Sequence, residues 1–326
     1  MFNEAKEKFE NIFNGTMPED EAKNYLVELY QRGESAEEIA AAVEVMRSHS
    51  IKLDTNEELR AKLIDVVGTG GDKSGSFNIS STVALLLSSM DCYVAKHGNR
   101  AITSNSGSAD MLETLGINLN LDPKKQVKLL EETGFTFMFA INHHPAMKYV
   151  MPIRKSLDHR TIFNILGPLT NPAGAQKYLI GVFSDDFLSR IISALQLLDT
   201  KSAVAVSSKD GMDEISICDV TYATMLKDQR TTDFIIDPQE YGFSLAPSSA
   251  ILGGDAKYNA QITLDIFDTK EKGAKRDIVL LNAAMAFAVE GKARDMQEGI
   301  EMAKEAIDSH RAKKHLQTIV KTSNLL

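Results

Sequence analysis

Over the first sixty residues apolar side chains recur every three to four positions. From Leu63 onward they gather instead into short runs separated by polar clusters. Glu19 to Gln31 places Ala22, Tyr25, Leu26, Leu29 and Tyr30 at i, i+3, i+4, i+7 and i+8, one face of a helix. Ser35-Ala36-Glu37-Glu38 is a capping-box pattern, in which the Ser35 hydroxyl and the Glu38 carboxylate satisfy each other's backbone amides; it opens a helix over Ile39 to Ser48. Beyond that the texture changes. Leu63 to Val67, a short apolar run rich in β-branched residues, reads as a buried strand, as do Tyr93 to Ala95, Phe135 to Ala140, Tyr178 to Val182 and Ser202 to Ser207. Helices are predicted between them. Val83 to Met90 is capped by Asn78, Ser80 or Ser81, and Ala109 to Leu115 forms the next. Lys124 to Glu132 is opened by Asp122-Pro123 and stopped by Gly134, and Phe187 to Leu198 follows.

This alternation predicts an α/β fold: a small all-helical domain over residues 1–62 and a larger α/β domain over residues 63–326, whose mostly parallel central sheet is flanked by helices. The segment Ala146 to Asn171 is helical in character without a strand, so it is expected to complete the small domain, which would then be discontinuous. Residues 214–265 read as strands and irregular loops, and Asp277 to Glu290 and Met296 to Ile319 as closing helices.

Each polar cluster follows a predicted strand, and in open α/β sheets ligands sit at the carboxyl ends of strands. The first cluster is Gly68-Thr69-Gly70-Gly71-Asp72, leading to Phe77-Asn78-Ile79-Ser80-Ser81. Strand, glycine turn and helix start together aim backbone N–H groups at an anion. Asp72 would repel a phosphate unless a cation or a ligand hydroxyl lies between them, and a magnesium-bound sugar phosphate supplies both. The others are Lys96-His97-Gly98-Asn99-Arg100, which suits oxyanions, then Asn142-His143-His144-Pro145, and Asp210-Gly211-Met212-Asp213-Glu214, whose paired acids suit Mg²⁺. Each also has a plain structural reading. The glycine turn lacks the Walker A lysine and the dinucleotide spacing. Adjacent histidines on an extended backbone point to opposite sides, so His143 and His144 read as loop-fixing residues. Arg154, Lys155 and Arg160 on a helix read as solvated surface.

Bulk properties narrow the picture further. A net charge of −9 disfavours non-specific binding to nucleic acid or anionic membrane, so an anionic ligand needs a local basic site. Cys92 and Cys218 lack metal-ligand spacing and read as core thiols in a reducing compartment. No apolar stretch approaches a membrane span, and Met1 to Lys6 does not begin a signal peptide; a cytoplasmic protein without nucleic-acid or membrane partners is expected.

Taken in order, Gly68 to Asp72, Asn78-Ile79-Ser80, Lys96 to Arg100, Asn142 to Lys148, Arg160 to Pro172 and Asp210 to Glu214 resemble the motifs of the anthranilate phosphoribosyltransferases of tryptophan biosynthesis, from about residue 1 to the last. The resemblance implies the fold class shared with pyrimidine nucleoside phosphorylases, and a homodimer paired through the small domain. It also implies transfer of the phosphoribosyl group of 5-phosphoribosyl-1-pyrophosphate to anthranilate with Mg²⁺, two ions per site, and leaves open an association with anthranilate synthase components. Carried over by position, donor contacts fall on Gly68, Gly71, Asp72, Ser76, Asn78, Ile79, Ser80, Ser81, Lys96, His97, Gly98, Asn99, Arg100 and Ser108. Anthranilate contacts fall on Gly68, Asn99 and Arg154, with His97 and Pro168 along its path, and the metal positions on Ser80, Asp213 and Glu214. Lys96 and Mg²⁺ would stabilise the transition state, with no covalent nucleophile. Ser76 stands where the family commonly has threonine, and Ser207-Ser208-Lys209 replaces a more usual His-Gly run. A nucleoside phosphorylase using free phosphate, and a nucleic-acid-binding relative on the same fold, are the alternatives.

Overall fold

In a computed structural model that describes residues 1–101 and 106–326, the strands pair into a seven-stranded sheet of order β3-β2-β1-β4-β5-β6-β7. The chain begins with α1 (Phe2–Asn14), α2 (Glu19–Arg32), α3 (Ala36–Ser48) and the short α4 (Glu57–Lys62). The capping box at Ser35 and Glu38 forms as its pattern predicts. Then come β1 (Leu63–Gly68), α5 (Ile79–Ser89), β2 (Tyr93–Gly98), α6 (Ser108–Thr114), α7 (Pro123–Thr133) and β3 (Phe135–Phe139). Three helices, α8 (Ala140–His143), α9 (Met147–Lys155) and α10 (Phe163–Leu169), precede β4 (Lys177–Gly181), α11 (Leu188–Leu197) and β5 (Ser202–Ser208). The hairpin β6 (Thr221–Lys227) and β7 (Arg230–Ile236) is followed by α12 (Ala256–Phe267), α13 (Ala274–Glu290), α14 (Met296–Asp308) and α15 (Arg311–Leu325).

Strands β1 to β5 are parallel, and β6 and β7 add antiparallel at one edge. From β1 the chain winds outward through β2 and β3, then returns to place β4 and β5 on the other side. The winding therefore reverses between β1 and β4, the position where an open α/β sheet leaves a crevice at its carboxyl edge.

Side chains of β1 alternate between two hydrophobic cores, as the strand period of two requires. Ile64 and Val66 join α5, α13, α14 and α15 on one face. Leu63 and Val67 join α1 to α3, α9, α10 and α11 on the other. Phe9 and Phe13 of α1 meet Phe163 of α10 edge-on, with centroids 6.4 and 5.8 Å apart, so the N-terminal helices share their core with the segment expected to complete them. Such aromatic pairs add about 0.5–1.5 kcal/mol each beyond area burial.

Four local expectations are corrected. Residues 256–267 form a helix rather than strand or loop, because its inner face buries Asn259 and Thr263 among apolar residues, which hides the 3.6-residue period. The predicted helix from Met296 to Ile319 is two, broken at His310 with φ of 57°. Strand β3 ends at Phe139, and Ala140–His143 winds into one helical turn, so the two histidines do not lie on extended backbone. Helix α5 begins at Ile79, which puts Ser80 and Ser81 inside its first turn. Asn78 occupies the N-cap position, but its side chain does not cap.

The ends of β1 and β4 are glycines for a steric reason. A Cβ on Gly68 would lie 2.5 Å from Asp213 Oδ2, and one on Gly181 would fall inside the backbone carbonyl of Asp213. Gly181→Ala is therefore expected to displace the Asp213 segment, lowering stability by about 1–3 kcal/mol in a denaturant titration, the range for overpacking. Activity should fall with it; an alanine variant of native stability and turnover would show that the approach is not tight.

Candidate active site

Four strand ends converge on the crevice. At the end of β1, the Thr69 N–H donates to Gly181 O at 2.9 Å, and the chain then turns through Gly70 and Gly71 with φ of 69° and 77°. This left-handed backbone strongly favours glycine. The Gly70 N–H donates to Asp213 Oδ2 at 2.6 Å. Asp72 accepts from the Ser74 N–H through Oδ1 at 3.1 Å, and its Oδ2 faces the Asp213 N–H at 3.5 Å. Ser76 accepts from the Ser74 hydroxyl at 3.1 Å. The Ser80 N–H donates to Glu214 Oε1 at 3.2 Å. The loop after β5 thus brings Asp213 and Glu214 against the glycine loop and the first turn of α5.

From β2, Lys96 is fully buried; its ammonium donates to Val66 O at 2.7 Å and Ser80 Oγ at 3.3 Å. Burial lowers its pKa, while Asp65 and Glu214 oppose that shift. Burial and then Asp72 raise the Asp213 carboxyl to about 7, and burial and then Asp213 push Glu214 well above the usual carboxylate range. Buried Asp213 and largely shielded Glu214, with half-exposed Asp72 beside them and one buried ammonium opposite, form a set that calls for another cation. Among the described residues no group of three or more His, Cys, Asp or Glu is arranged to hold a metal by protein ligands alone. That pattern fits Mg²⁺, which is commonly held by one or two carboxylates with phosphate and water completing the shell.

Other sequence-predicted residues have different surroundings. Ile79 is buried in the core and its N–H bonds Phe77 O, so its side chain is structural. The Ser81 hydroxyl is buried without a hydrogen-bond partner. Gly98 ends β2 beside Ser108, the first residue of α6. Asn99 accepts from the Arg100 N–H at 2.9 Å. The Arg100 guanidinium is not aimed at the crevice: it pairs with Asp110 and Glu113 of α6 and lies over the Phe139 ring. Two acids one helical turn apart capture it.

On the other side of β2, toward the helical layer, His97 is buried; its Nδ1 lies 3.1 Å from Gly167 O, next to Pro168, and its Nε2 has no partner. The His144 ring is 5.1 Å from that of His97, and burial, then His143, pushes its pKa down to about 4. His143 instead ties Nδ1 to Ile51 O. Arg154 lies on α9, where burial alone shifts its pKa, downward; its side chain has no hydrogen bond or ion pair among the described residues. Arg160 lies beyond that helix, stacks on Phe183 at 3.7 Å and donates to Gly71 O at 2.8 Å. The surface reading fails for both arginines.

Three positions carried no functional reading in the sequence. Asp65, fully buried and raised to about 6 by burial, accepts from the His97 N–H at 3.2 Å and from Asn171 Nδ2 at 2.7 Å. Its signal was a carboxylate inside an apolar strand. Gly181 had one too, a glycine within a strand pattern, which marks close backbone approach. Asn259 had none, because its helix was not recognised.

The glycosyl transferase family, a/b domain, matches residues 60–313, and the glycosyl transferase family, helical bundle domain, matches residues 2–50. An anthranilate phosphoribosyltransferase of Methanobrevibacter smithii is 43% identical over 98% of this chain and 94% of its own length, and one of Xanthobacter autotrophicus 42% over 99% and 92%. The chain belongs to the anthranilate phosphoribosyltransferase family. Among solved structures of that family, the Thermus thermophilus enzyme superposes with a TM-score of 0.92 at 37% identity, covering 99% of this chain and 96% of that one. The Saccharomyces cerevisiae anthranilate phosphoribosyltransferase in complex with PRPP and Mg gives 0.84 at 29%, covering 94% and 86%. The same yeast enzyme in complex with 4-fluoroanthranilate gives 0.88 at 25%, covering 100% and 94%. The nucleoside phosphorylase and nucleic-acid alternatives are set aside by these matches. Among the described residues no helix is long and apolar enough to cross a membrane.

The raised pKa of Asp213 carries a stability sign. In the fold it keeps a proton that the unfolded chain has lost between about pH 4 and 7, so the metal-free protein loses stability as pH rises through that window. Asp213→Asn should remove part of that slope. It should raise Tm at pH 8 by about 2–4 °C in metal-free buffer while abolishing Mg²⁺-dependent activity. An unchanged pH slope in differential scanning calorimetry would contradict this.

Proposed function

We propose that the crevice between β1 and β4 is where this chain transfers the 5-phosphoribosyl group of 5-phosphoribosyl-1-pyrophosphate to anthranilate, releasing pyrophosphate. The observation that carries this reading is the pairing of two half-sites across β2. Lys96 and the glycine loop face the acidic pair on one side; His97, Gly167 and Pro168 line the way toward the helical layer on the other. Gly68, Gly71, Asp72, Ser76, Asn78, Ser80, Ser81, Lys96, Gly98, Asn99 and Ser108 contact the donor. The Ser81 hydroxyl, buried without a partner, is satisfied by a phosphate oxygen.

Displacement at the anomeric carbon builds positive charge on the ribose while negative charge departs on pyrophosphate. Stabilising the leaving charge lowers the barrier most. The Lys96 ammonium, which keeps one proton beyond its bonds to Val66 O and Ser80 Oγ, and the backbone amides of Gly71 and Asp72 serve this role, while the Gly70 amide stays with Asp213. Asp213 and Glu214, with the Ser80 hydroxyl, hold Mg²⁺, two ions in the full site. Bound there with the pyrophosphate oxygens, the metal neutralises the charge of the leaving group. A cation held there would also offset the burial and, after it, the repulsion from neighbouring acids that raise the pKa values of Asp213 and Glu214.

Anthranilate's aromatic amine is neutral near pH 7, so no strong general base is required and orientation is the remaining task. Arg154, a half-buried guanidinium with no protein anion, takes the carboxylate as a bidentate pair. Asn99 and Gly68 border the reacting amine, and His97 and Pro168 flank its route. Two copies pair through the helical domain, where Tyr30, Ile51, Tyr149 and Met151 are exposed.

Loss of anthranilate fluorescence on adding the donor, with and without Mg²⁺, tests the assignment directly. Arg154→Ala is expected to raise the anthranilate KM about 10- to 100-fold, the range for a hydrogen-bonded charge pair, with little change in donor KM. Equal effects on both substrates would remove Arg154 from the acceptor site. Light scattering at micromolar concentration is expected to give the mass of a dimer; a monomer would refute the proposed pairing.

A further inference from the structure

Helix α12 reaches the donor loop through one side chain. Asp255 caps the helix by accepting from the Tyr258 N–H at 2.8 Å, and Asn259, one turn in, is 2% exposed. The segment before the helix runs along the donor loop: Phe77 N–H donates to Ile251 O at 3.3 Å, and Gly253 N–H to Gly75 O at 2.9 Å. Gly253 has no room for a side chain, since a Cβ there would sit 2.7 Å from both Phe77 Cα and Asn259 Oδ1.

The hydrogen bonds form a chain whose ends fix its direction. The Gly254 N–H can only donate, and it donates to Asn259 Oδ1 at 2.8 Å. The other edge of that amide, Nδ2, therefore faces Asn78 and donates to its Oδ1 at 2.9 Å. The Ser106 hydroxyl donates to the same Oδ1 at 3.2 Å. Asn78 Nδ2 then lies on the opposite edge and donates one N–H to Ser106 O at 3.2 Å, a carbonyl that can only accept. A donor fixed at one end and an acceptor fixed at the other require the same orientation of both amides. These bonds use one of the two N–H groups of Asn78.

We propose that Asn259 is a positioning residue for the phosphoribosyl donor: it sets the Asn78 amide so that a hydrogen-bond donor, rather than an acceptor, is presented to the donor's anionic oxygens. The proposal rests on Asn78 as a donor contact. Asn259 touches no substrate and acts through Asn78, so its effect appears in donor binding and vanishes when Asn78 is gone.

Asn259→Asp separates this role from that of holding the loop. An aspartate still accepts from the Gly254 N–H but cannot donate to Asn78; a charged acceptor facing Asn78 outweighs the single neutral bond to Ser106 O, so the amide turns its oxygen toward the phosphates. The expected result is a donor KM raised about tenfold with the anthranilate KM unchanged, the loss of one hydrogen bond to a charged group. Asn78→Ala should raise the donor KM comparably. In the double variant Asn259→Asp should add nothing further, the signature of two residues acting as one unit. A wild-type donor KM for Asn259→Asp, or an undiminished effect on the Asn78→Ala background, overturns the role of Asn259. An unchanged donor KM for Asn78→Ala instead overturns the reading of Asn78 on which it rests. Thermal melting checks that each variant folds; Asn259→Ala, taken through the same cycle, serves if the aspartate variant does not.

Discussion

Asp213 presses its carboxylate against Gly68 and its backbone carbonyl against Gly181, the glycines that end β1 and β4, and the site depends on that approach. The reversal of strand order opens the crevice, but an open crevice alone positions no metal ligand. The loop after β5 enters it because Gly68 and Gly181 leave no Cβ in its way. The Gly70 N–H then holds the Asp213 carboxylate, and the Ser80 N–H holds Glu214. Two strand ends, a turn and a helix start are joined by one acidic segment.

That arrangement concentrates like charge where water is excluded. Asp213 and Glu214 are raised by burial first and by neighbouring acids second, and Lys96 is lowered by burial while Asp65 and Glu214 counter it. Such a cluster opposes folding, and perturbed charges of this kind gather at functional sites. Asp65 extends the network to the side of β2 that faces the helical layer. Through Asn171, which also donates to Ala95 O at 2.8 Å, it ties the chain just after α10 to β2, and through the His97 N–H it fixes the strand from which that ring reaches Gly167. The two sides of β2 are therefore held in register by buried polar bonds rather than by apolar packing alone.

Much of the fold could be read along the chain. Strand β1, the capping box at Ser35, the Gly134 stop and the parallel alternation follow from local rules of period and turn chemistry. Helix α12 escaped because Asn259 and Thr263 occupy core positions, so the hydrophobic period fails where a helix buries polar groups that find partners elsewhere. The polar clusters after each strand located most of the crevice. Arg100 shows the limit of motif reading: it stands in the middle of a site motif, yet Asp110 and Glu113 hold it away from the crevice.

The sequence by itself determined most of the element types, the glycine loop, the acidic pair and the family, because each is encoded in residues close together or in motifs long enough to be specific. Only the tertiary structure decided which charges face one another and which are already paired. It showed Arg154 half-buried without an anion, Arg160 stacked on Phe183, and Asn259 reaching Asn78 across 181 positions of chain. Those relations depend on strand order and on the close passage of one backbone over another. Neither leaves a local trace beyond a glycine in a strand and a carboxylate among apolar neighbours.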